Sequence, residues 1–190
     1  GIWYWASPIE ARLCANEDVI IVGGGNSAGQ AAVFLSRTAG HVHMLVRAHG
    51  LAATMSDYLI QRIGQSARIT LHTRTEIVEL QGDGRLRQVT WRHRDTGAAE
   101  TQSINNMFVM IGAEPNTDWL NGCLELDAKG FVVTGRAADG SALASPFATT
   151  RPGIFAIGDV RSGSVKRVAS SVGEGSVVIQ AVHTFLNPAP

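Results

Sequence analysis

One stretch constrains the fold of this chain more than any other: Asp18-Val-Ile-Ile-Val22 running without a break into Gly23-Gly24-Gly25-Asn26-Ser27-Ala28. A continuous apolar run of this length reads as a strand buried on both faces, so the sheet it belongs to must be covered by two layers. The glycines that follow fit the pattern G-x-G-x-x-A at the start of a helix. Each small residue answers a physical demand in such a turn. The first glycine lets the chain turn tightly, the second lets backbone approach a pyrophosphate, and a small residue such as Ala28 lets helix and strand pack closely. The helix spans about Ser27 to Ser36, with Ala28, Ala31, Ala32 and Leu35 on its packing face. A second apolar strand, His41-Val-His-Met-Leu-Val46, then completes a parallel βαβ unit of roughly 30 residues.

The same rhythm continues with a helix at about Thr54 to Gly64 and a strand at Arg68-Ile-Thr-Leu-His72. It then changes. Glu76 to Leu80, Leu86 to His93 and Glu100 to Ile104 alternate in polarity and are separated by Gly82-Asp-Gly84 and Asp95-Thr-Gly97, which are hairpin turn signals. Asn106 to Ile111 is apolar again. The expected architecture is α/β: a Rossmann-like βαβ domain for a nicotinamide dinucleotide with a three-stranded β-meander. Beyond it lie a short strand at Gly130 to Thr134, a Ser/Ala/Gly-rich loop from Gly135 to Pro152, a strand at Gly153 to Ile157 and a long helix from Val168 to Leu186. These pieces are too few to enclose a core, so they read as the returning portion of a second domain whose opening strands are not in this chain. The expected division is a linker at 1–16, a dinucleotide-binding domain at 17–111 and the partial second domain at 112–190.

Composition excludes several alternatives. Sixteen Lys and Arg against sixteen Asp and Glu leave no net charge on 190 residues, which argues against a nucleic-acid or anionic-membrane partner. Twenty-one glycines exceed the usual share without a repeat, so they are placed singly where backbone turns or approaches something closely. Two cysteines, Cys14 and Cys123, make neither a disulfide framework nor a paired zinc spacing, and they read as a small loop residue and a buried thiol respectively. No apolar run is long enough to span a membrane and no leader pattern opens the chain, so a cytoplasmic location is the default expectation.

The end of the second strand bears on which dinucleotide is taken. An acidic residue there accepts from the ribose 2′-OH of NAD, whereas the strand here ends at Val46-Arg47. An arginine pairs with a 2′-phosphate, so NADP(H) is preferred; the plainer reading is a solvated strand-end cation. Gly25-Asn26-Ser27-Ala28-Gly29 also spells the G-x-S-x-G nucleophile elbow, and Ser27, Asp159 and His183 follow the order of an α/β-hydrolase triad. That serine-hydrolase alternative leaves Gly23 and Arg47 unexplained and puts His183 inside a helix. His41 and His43 share one strand face with no third ligand at metal spacing, so no metal site is expected. Further on, Gly153-Ile-Phe-Ala-Ile-Gly-Asp159 delivers a carboxylate at a strand end, and Lys166-Arg167-Val168 opens the last helix. An acid placed for sugar hydroxyls and a positive helix end suit a flavin, or, more plainly, a helix cap among solvated charges.

Taken in order, three motifs make the sequence resemble the low-molecular-weight thioredoxin reductase family of FAD- and NADP-dependent flavoproteins. Gly23 to Leu35 is similar to that family's NADP motif, Gly112-Ala-Glu-Pro-Asn-Thr117 to its G-x-x-P-N-T crossover, and Pro152 to Val160 to its closing FAD motif. The resemblance implies NADP(H) at Gly23, Gly25, Asn26, Ser27, Ala28, Gln30 and Arg47. It makes 17–111 an NADP(H)-binding domain and 112–190 the C-terminal portion of an FAD-type domain, and implies FAD in the intact protein near Gly112, with Asp159 on the ribityl chain and Lys166, Arg167 and Val168 beside the isoalloxazine ring. No catalytic acid or base is implied.

The departures narrow the function. Where the family carries its redox-active C-x-x-C, this chain has Trp5-Ala-Ser-Pro8, so it lacks the dithiol that passes electrons to a protein disulfide. Ala48 and Ala52 stand where further arginines of the family would bind the 2′-phosphate, and Gln30 and Ala31 replace a pair of glutamates. The family's own opening FAD glycine motif has no counterpart, so the chain is expected to be a fragment of a longer flavoprotein and inactive alone. The expectation is an NAD(P)H-dependent flavin oxidoreductase that serves a small-molecule or protein acceptor other than a disulfide; a homodimer is compatible with the family. The alternative is an NADP(H)-binding regulatory module without turnover.

Overall fold

The computed structural model describes residues 1–187 and divides into two units, Gly1–Gly112 and Ala113–Pro190. In the first unit, strands β1 (Ile2–Trp3), β2 (Asp18–Val22), β3 (His41–Val46), β4 (Ile69–Thr73) and β8 (Asn106–Val109) form one all-parallel sheet in the order β1-β8-β2-β3-β4. Helices α1 (Pro8–Leu13), α2 (Asn26–Leu35) and α3 (Asp57–Gly64) belong to the same unit. The antiparallel meander consists of β5 (Thr75–Gly82), β6 (Leu86–His93) and β7 (Ala99–Gln102).

Strand alternation sorts the core into two layers. Val19 and Ile21 of β2, Val42, Met44 and Val46 of β3, and Phe108 of β8 pack with Ala28, Ala31, Ala32 and Leu35 of α2 and Leu59 and Ile63 of α3. The intervening residues Ile20, Leu45 and Met107 face the other way and meet Leu86, Val89 and Trp91 of the meander. This is why β2 and β3 are apolar on both faces: one side is covered by helices and the other by the meander. The small face of α2 lets its backbone lie close to the sheet; Phe108, fully buried between them, is a side chain whose truncation to alanine costs about 3–5 kcal/mol.

The segment 1–16, expected as a linker, packs onto the first unit. Ile2–Trp3 pairs with Met107 and Phe108 at the sheet edge, and Ala11 and Cys14 enter the helix-side core. The sequence signal was weak because a two-residue strand has no period and α1 exposes Ile9 and Leu13. Trp3 Nε1 donates to Asn106 Oδ1, whose amide in turn donates to Glu17, so the segment is tied by a partly buried polar chain.

In the second unit the only extended α-helix among the described residues is α4 (Val168–Leu186), preceded by 3₁₀ turns at Asp118–Leu120 and Gly158–Val160. The strands expected at Gly130–Thr134 and Gly153–Ile157 are reduced to isolated bridges: Val132 to Leu126 and Arg161, and Phe155 to Ala148. A strand is defined by the ladder it makes, and among the described residues neither segment has a neighbour long enough to make one. Side chains hold these loops instead. Asp127 accepts from Lys129 N, Phe131 N and Ser162 Oγ, and Thr117 Oγ1 donates to Gly130 O at 2.6 Å. Helix α4 buries little: Val178 is buried, whereas Val172, Val177, Ile179, Phe185 and Leu186 are exposed. An apolar groove of 510 Å³ runs beside it, lined in part by Pro146, Phe155, Val177, Ala181 and Phe185.

Candidate functional site

The glycine turn joins β2 to α2, and its three glycines are constrained differently. Gly23 has φ +142°, and a Cβ there would lie 2.4 Å from Met110 O, so the fold itself requires glycine. A Cβ at Gly24 would come within 2.9 Å of Val46 Cγ1. Gly25 has φ −92° and ψ 178°, ordinary extended backbone, and a Cβ would meet nothing nearer than Thr54 O at 4.0 Å. Neither conformation nor packing within the chain demands glycine at 25, and the open space there adjoins the N-terminus of α2. That helix has no side-chain cap, so its first N–H groups are left without the hydroxyl or carboxylate that usually takes one of them.

Two neighbouring residues fix the turn. Thr54 Oγ1 donates to Gly24 O at 2.8 Å, and Ser56 donates through both N and Oγ to Asn26 Oδ1 at 2.8 Å. Asn26 is therefore a structural tie between the turn and the loop before α3, and its carbonyl oxygen is already engaged. The sequence carries no signal for Thr54 and Ser56 in this role: both fall in the first turn of the helix expected at Thr54 to Gly64, whereas α3 begins only at Asp57 with Ser56 as its N-cap. Ala28 is buried, 3.3 Å from the position a Cβ on Gly23 would take, as close helix-to-strand packing requires. Ser27, Gln30 and Arg47 are exposed, and Arg47 makes no ion pair among the described residues. Ser27 Oγ has no hydrogen-bond partner among the described residues, so no histidine of its own unit orients it.

In the second unit Asp159 is exposed on the 3₁₀ turn after Ile157. Lys166 Nζ donates to Asp159 O at 3.2 Å and lies 3.9 Å over the Phe131 ring. Arg167 is the N-cap of α4, which has no side-chain cap, and Val168 is exposed in the first turn. Ser164 Oγ, in the loop between Asp159 and Lys166, is buried without a hydrogen-bond partner among the described residues. Glu174 holds this loop in place: it accepts from Gly158 N at 2.6 Å and from Arg161 Nη2 at 2.5 Å. The Arg161 guanidinium, then the Gly158 N–H, keep its carboxyl below the usual glutamate range. Glu174 is the lone carboxylate of its helix, a signal that its half-buried ion pair with Arg161 explains. Gly158 and Gly153 sit in left-handed backbone, φ +71° and +79°, which favours glycine, and a Cβ on either would also come within 2.9 Å of Ser171 Oγ or 2.8 Å of the Phe185 ring on α4. Gly112 faces open space.

The expected cysteine roles are reversed. Cys14 is fully buried at the end of α1, and burial raises its thiol pKa, whereas Cys123 is half-buried in a loop with Arg151 Nη1 at 3.1 Å from its sulfur. In Trp5-Ala6-Ser7-Pro8, Ser7 caps α1 and Pro8 is its first residue, in a reciprocal capping box with Glu10. Among the described residues no three His, Cys, Asp or Glu side chains are grouped to hold a metal, and no helix is long and apolar enough to cross a membrane.

A parallel sheet covered by α2 and α3, with a glycine turn opening onto an uncapped helix, defines a dinucleotide-binding α/β protein. Residues 6–175 match the pyridine nucleotide-disulphide oxidoreductase family, and the chain belongs to it. It is 33% identical over 181 residues to a thioredoxin reductase of Chlamydia pneumoniae, covering 95% of this chain and 54% of that protein. A NADH dehydrogenase of Ferdinandcohnia aciditolerans is 31% identical over 177 residues, 93% of this chain and 32% of its own length. The crystal structure of the T. acidophilum thioredoxin reductase superposes with a TM-score of 0.81 at 26% identity, covering 97% of this chain and 57% of that one. The chain thus spans about half the length of the thioredoxin reductases it matches.

Proposed function

We propose that this chain supplies the NADP(H)-binding domain and part of the FAD-binding domain of a thioredoxin-reductase-like flavin oxidoreductase whose acceptor is not a disulfide. The observation that carries the first half is Gly25: a glycine that neither backbone nor packing requires, beside an uncapped helix N-terminus, leaves room for a pyrophosphate. Gly23 and Ala28 set the turn, Asn26 ties it to Ser56, and the N–H groups of Ser27 and Ala28 donate to the phosphates. Arg47, free of any carboxylate partner among the described residues, pairs with the 2′-phosphate; Gln30, one turn further along α2, faces solvent on the same helix. For the flavin, Asp159 offers a carboxylate to sugar hydroxyls and Lys166, Arg167 and Val168 present the positive end of α4. The orphaned Ser164 hydroxyl in that loop fits an unmade polar contact. Gly112, open at the crossover, admits close approach.

When bound, the two cofactors supply hydride donor and acceptor, a transfer that needs no protein acid or base. The chain's part is to orient them and hold them in place. The acceptor reading rests on the segment Trp5-Ala6-Ser7-Pro8, where a capping box occupies the place of a thiol pair, and on Cys14 and Cys123 lying in different units. A relative named as an NADH dehydrogenase is in keeping with acceptors other than disulfides in this family.

The test is calorimetric titration of the chain with NADPH and NADH, beside Arg47→Ala. The expected result is tighter binding of NADPH, lost by roughly tenfold in the variant while NADH is unchanged. Equal affinities unaffected by the substitution refute the 2′-phosphate role. In the flavin-reconstituted full-length protein, NADPH is expected to bleach the visible flavin absorbance. A flavin that stays oxidised with NADPH bound supports a regulatory module instead.

A further inference from the structure

The least explained polar group in the first unit is a cluster of three histidines lodged where the parallel sheet meets the meander. His41 and His43 of β3 stand on the meander-facing side, with ring centroids 5.0 Å apart. His72 of β4 lies beside them, and His43 Nδ1 and His72 Nε2 face each other at 3.2 Å. Trp91 of β6 covers both, its ring 5.4 Å from that of His43 and 5.5 Å from that of His72. His41 is engaged separately, its Nε2 on Thr70 Oγ1 at 2.8 Å.

Two imidazole nitrogens at this distance share one proton. One ring donates its N–H and the other accepts through its lone pair. A single added proton leaves that bond intact, because a cationic ring still donates to a neutral one. The second added proton leaves two N–H groups facing each other and two like charges in a half-buried site. The rings then separate only by turning toward water, which removes the surface on which Trp91 rests. The carboxylates within reach are Asp18 on β2, across from His41, and Glu100 on β7, across from Trp91; both favour the charged imidazole of His43, and Glu100 that of His72. They are outweighed. Burial, foremost, then His72 and His41 hold the pKa of His43 below its usual value, and burial, foremost, does the same for His72.

We propose that the His43–His72 pair under Trp91 is an acid-sensitive latch that fastens the β5–β7 meander to the parallel sheet at neutral pH and releases it in mildly acidic solution. The sign follows from linkage. With folded pKa values below that of a free imidazole, the unfolded or released state binds more protons. Stability is therefore full above about pH 6.5 and falls as the pH drops below it.

Unfolding in urea between pH 7.5 and 5.0, for wild type and His43→Gln/His72→Gln, reads the latch. For wild type the equilibrium constant between released and fastened forms should rise as the pH falls below 6.5, by up to about ten- to a hundredfold per pH unit at the steepest, as one or two protons are taken up. The double variant should lose most of that slope. Amide exchange, corrected for its intrinsic pH dependence, should open β5–β7 before β2 and β3. An unchanged slope in the double variant overturns the proposal, as does exchange that rises evenly across the unit. Should the variant not fold, imidazole titration of the wild type by NMR decides: ordinary pKa values for His43 and His72 refute the latch.

Discussion

Gly23 and Gly25 belong to one motif, yet the structure separates what each does, and alanine at the two positions should produce opposite phenotypes. At Gly23 the backbone has φ +142°, where an L side chain is strained, at a cost of about 1–3 kcal/mol. The added Cβ would also fall 2.4 Å from Met110 O and 2.9 Å from its carbonyl carbon. Met110 N donates to Val22 O, so relief means moving the end of β8 away from β2. The combined loss is about 2–4 kcal/mol, which shifts the unfolding equilibrium roughly thirtyfold or more. At Gly25 the backbone is ordinary and the nearest atom is 4.0 Å away. Alanine is a poorer N-cap than glycine by roughly half a kcal/mol, and the lost freedom of the unfolded chain returns a similar amount. Stability should stay within about 0.5 kcal/mol of wild type, while the methyl group occupies the approach to the α2 N–H groups. Losing one charge-assisted hydrogen bond there costs about 1.5–3 kcal/mol, or ten- to a hundredfold in NADPH affinity. Urea unfolding at neutral pH and calorimetric titration on the same preparations make the comparison. A Gly25→Ala protein that binds NADPH like wild type, or is as destabilised as Gly23→Ala, refutes this division of labour.

Glu174→Ala leaves the Gly158 N–H and the Arg161 guanidinium without their acceptor, and should destabilise the second unit by about 1–3 kcal/mol in urea titrations, with Glu174→Gln intermediate because its carbonyl still accepts from Gly158. Since the folded pKa of Glu174 lies below that of a free glutamate, its contribution is complete above about pH 4.3 and is lost as the pH falls further; the variants should show a shallower acid limb than wild type. Thiol titration with a disulfide reagent should label Cys123 in the native protein and Cys14 only on unfolding, because Cys14 is fully buried with a raised pKa. Rapid native labelling of both would contradict the core described for α1.

Much of the first unit was legible because its chain obeys two clear periods. The unbroken apolar runs of β2 and β3 require cover on both faces, and the alternating runs of β5 to β7 require it on one, which together give helices, sheet and meander in that order. Where the sequence was silent, stabilisation came from partners distant along the chain. Ile2 and Trp3 become a strand only because Met107 and Phe108 offer an edge, and Trp3 gains its hydrogen bond from Asn106. The opposite failure occurs at Gly130 to Thr134 and Gly153 to Ile157. They have the composition of strands, but a β propensity is realised only against a neighbour, and here single bridges are all the described residues provide.

The site divides along the same line. Residues whose role depends on local geometry were visible: Gly23, Gly25 and Ala28 follow from a turn that must be tight, open and closely packed within six residues. Residues that hold that geometry from elsewhere were not. Thr54 and Ser56 reach back thirty positions to Gly24 and Asn26, and Glu174 reaches back sixteen to Gly158. Each is a single polar side chain satisfying backbone or amide groups that a turn leaves exposed, and nothing in its own neighbourhood announces the partner. Asn26 shows the consequence. Its place in the motif suggests a ligand contact, but its side-chain oxygen already takes two hydrogen bonds from Ser56, so replacing it should loosen the turn before it weakens any phosphate contact. Binding and stability would then fall together, unlike the separation expected at Gly25.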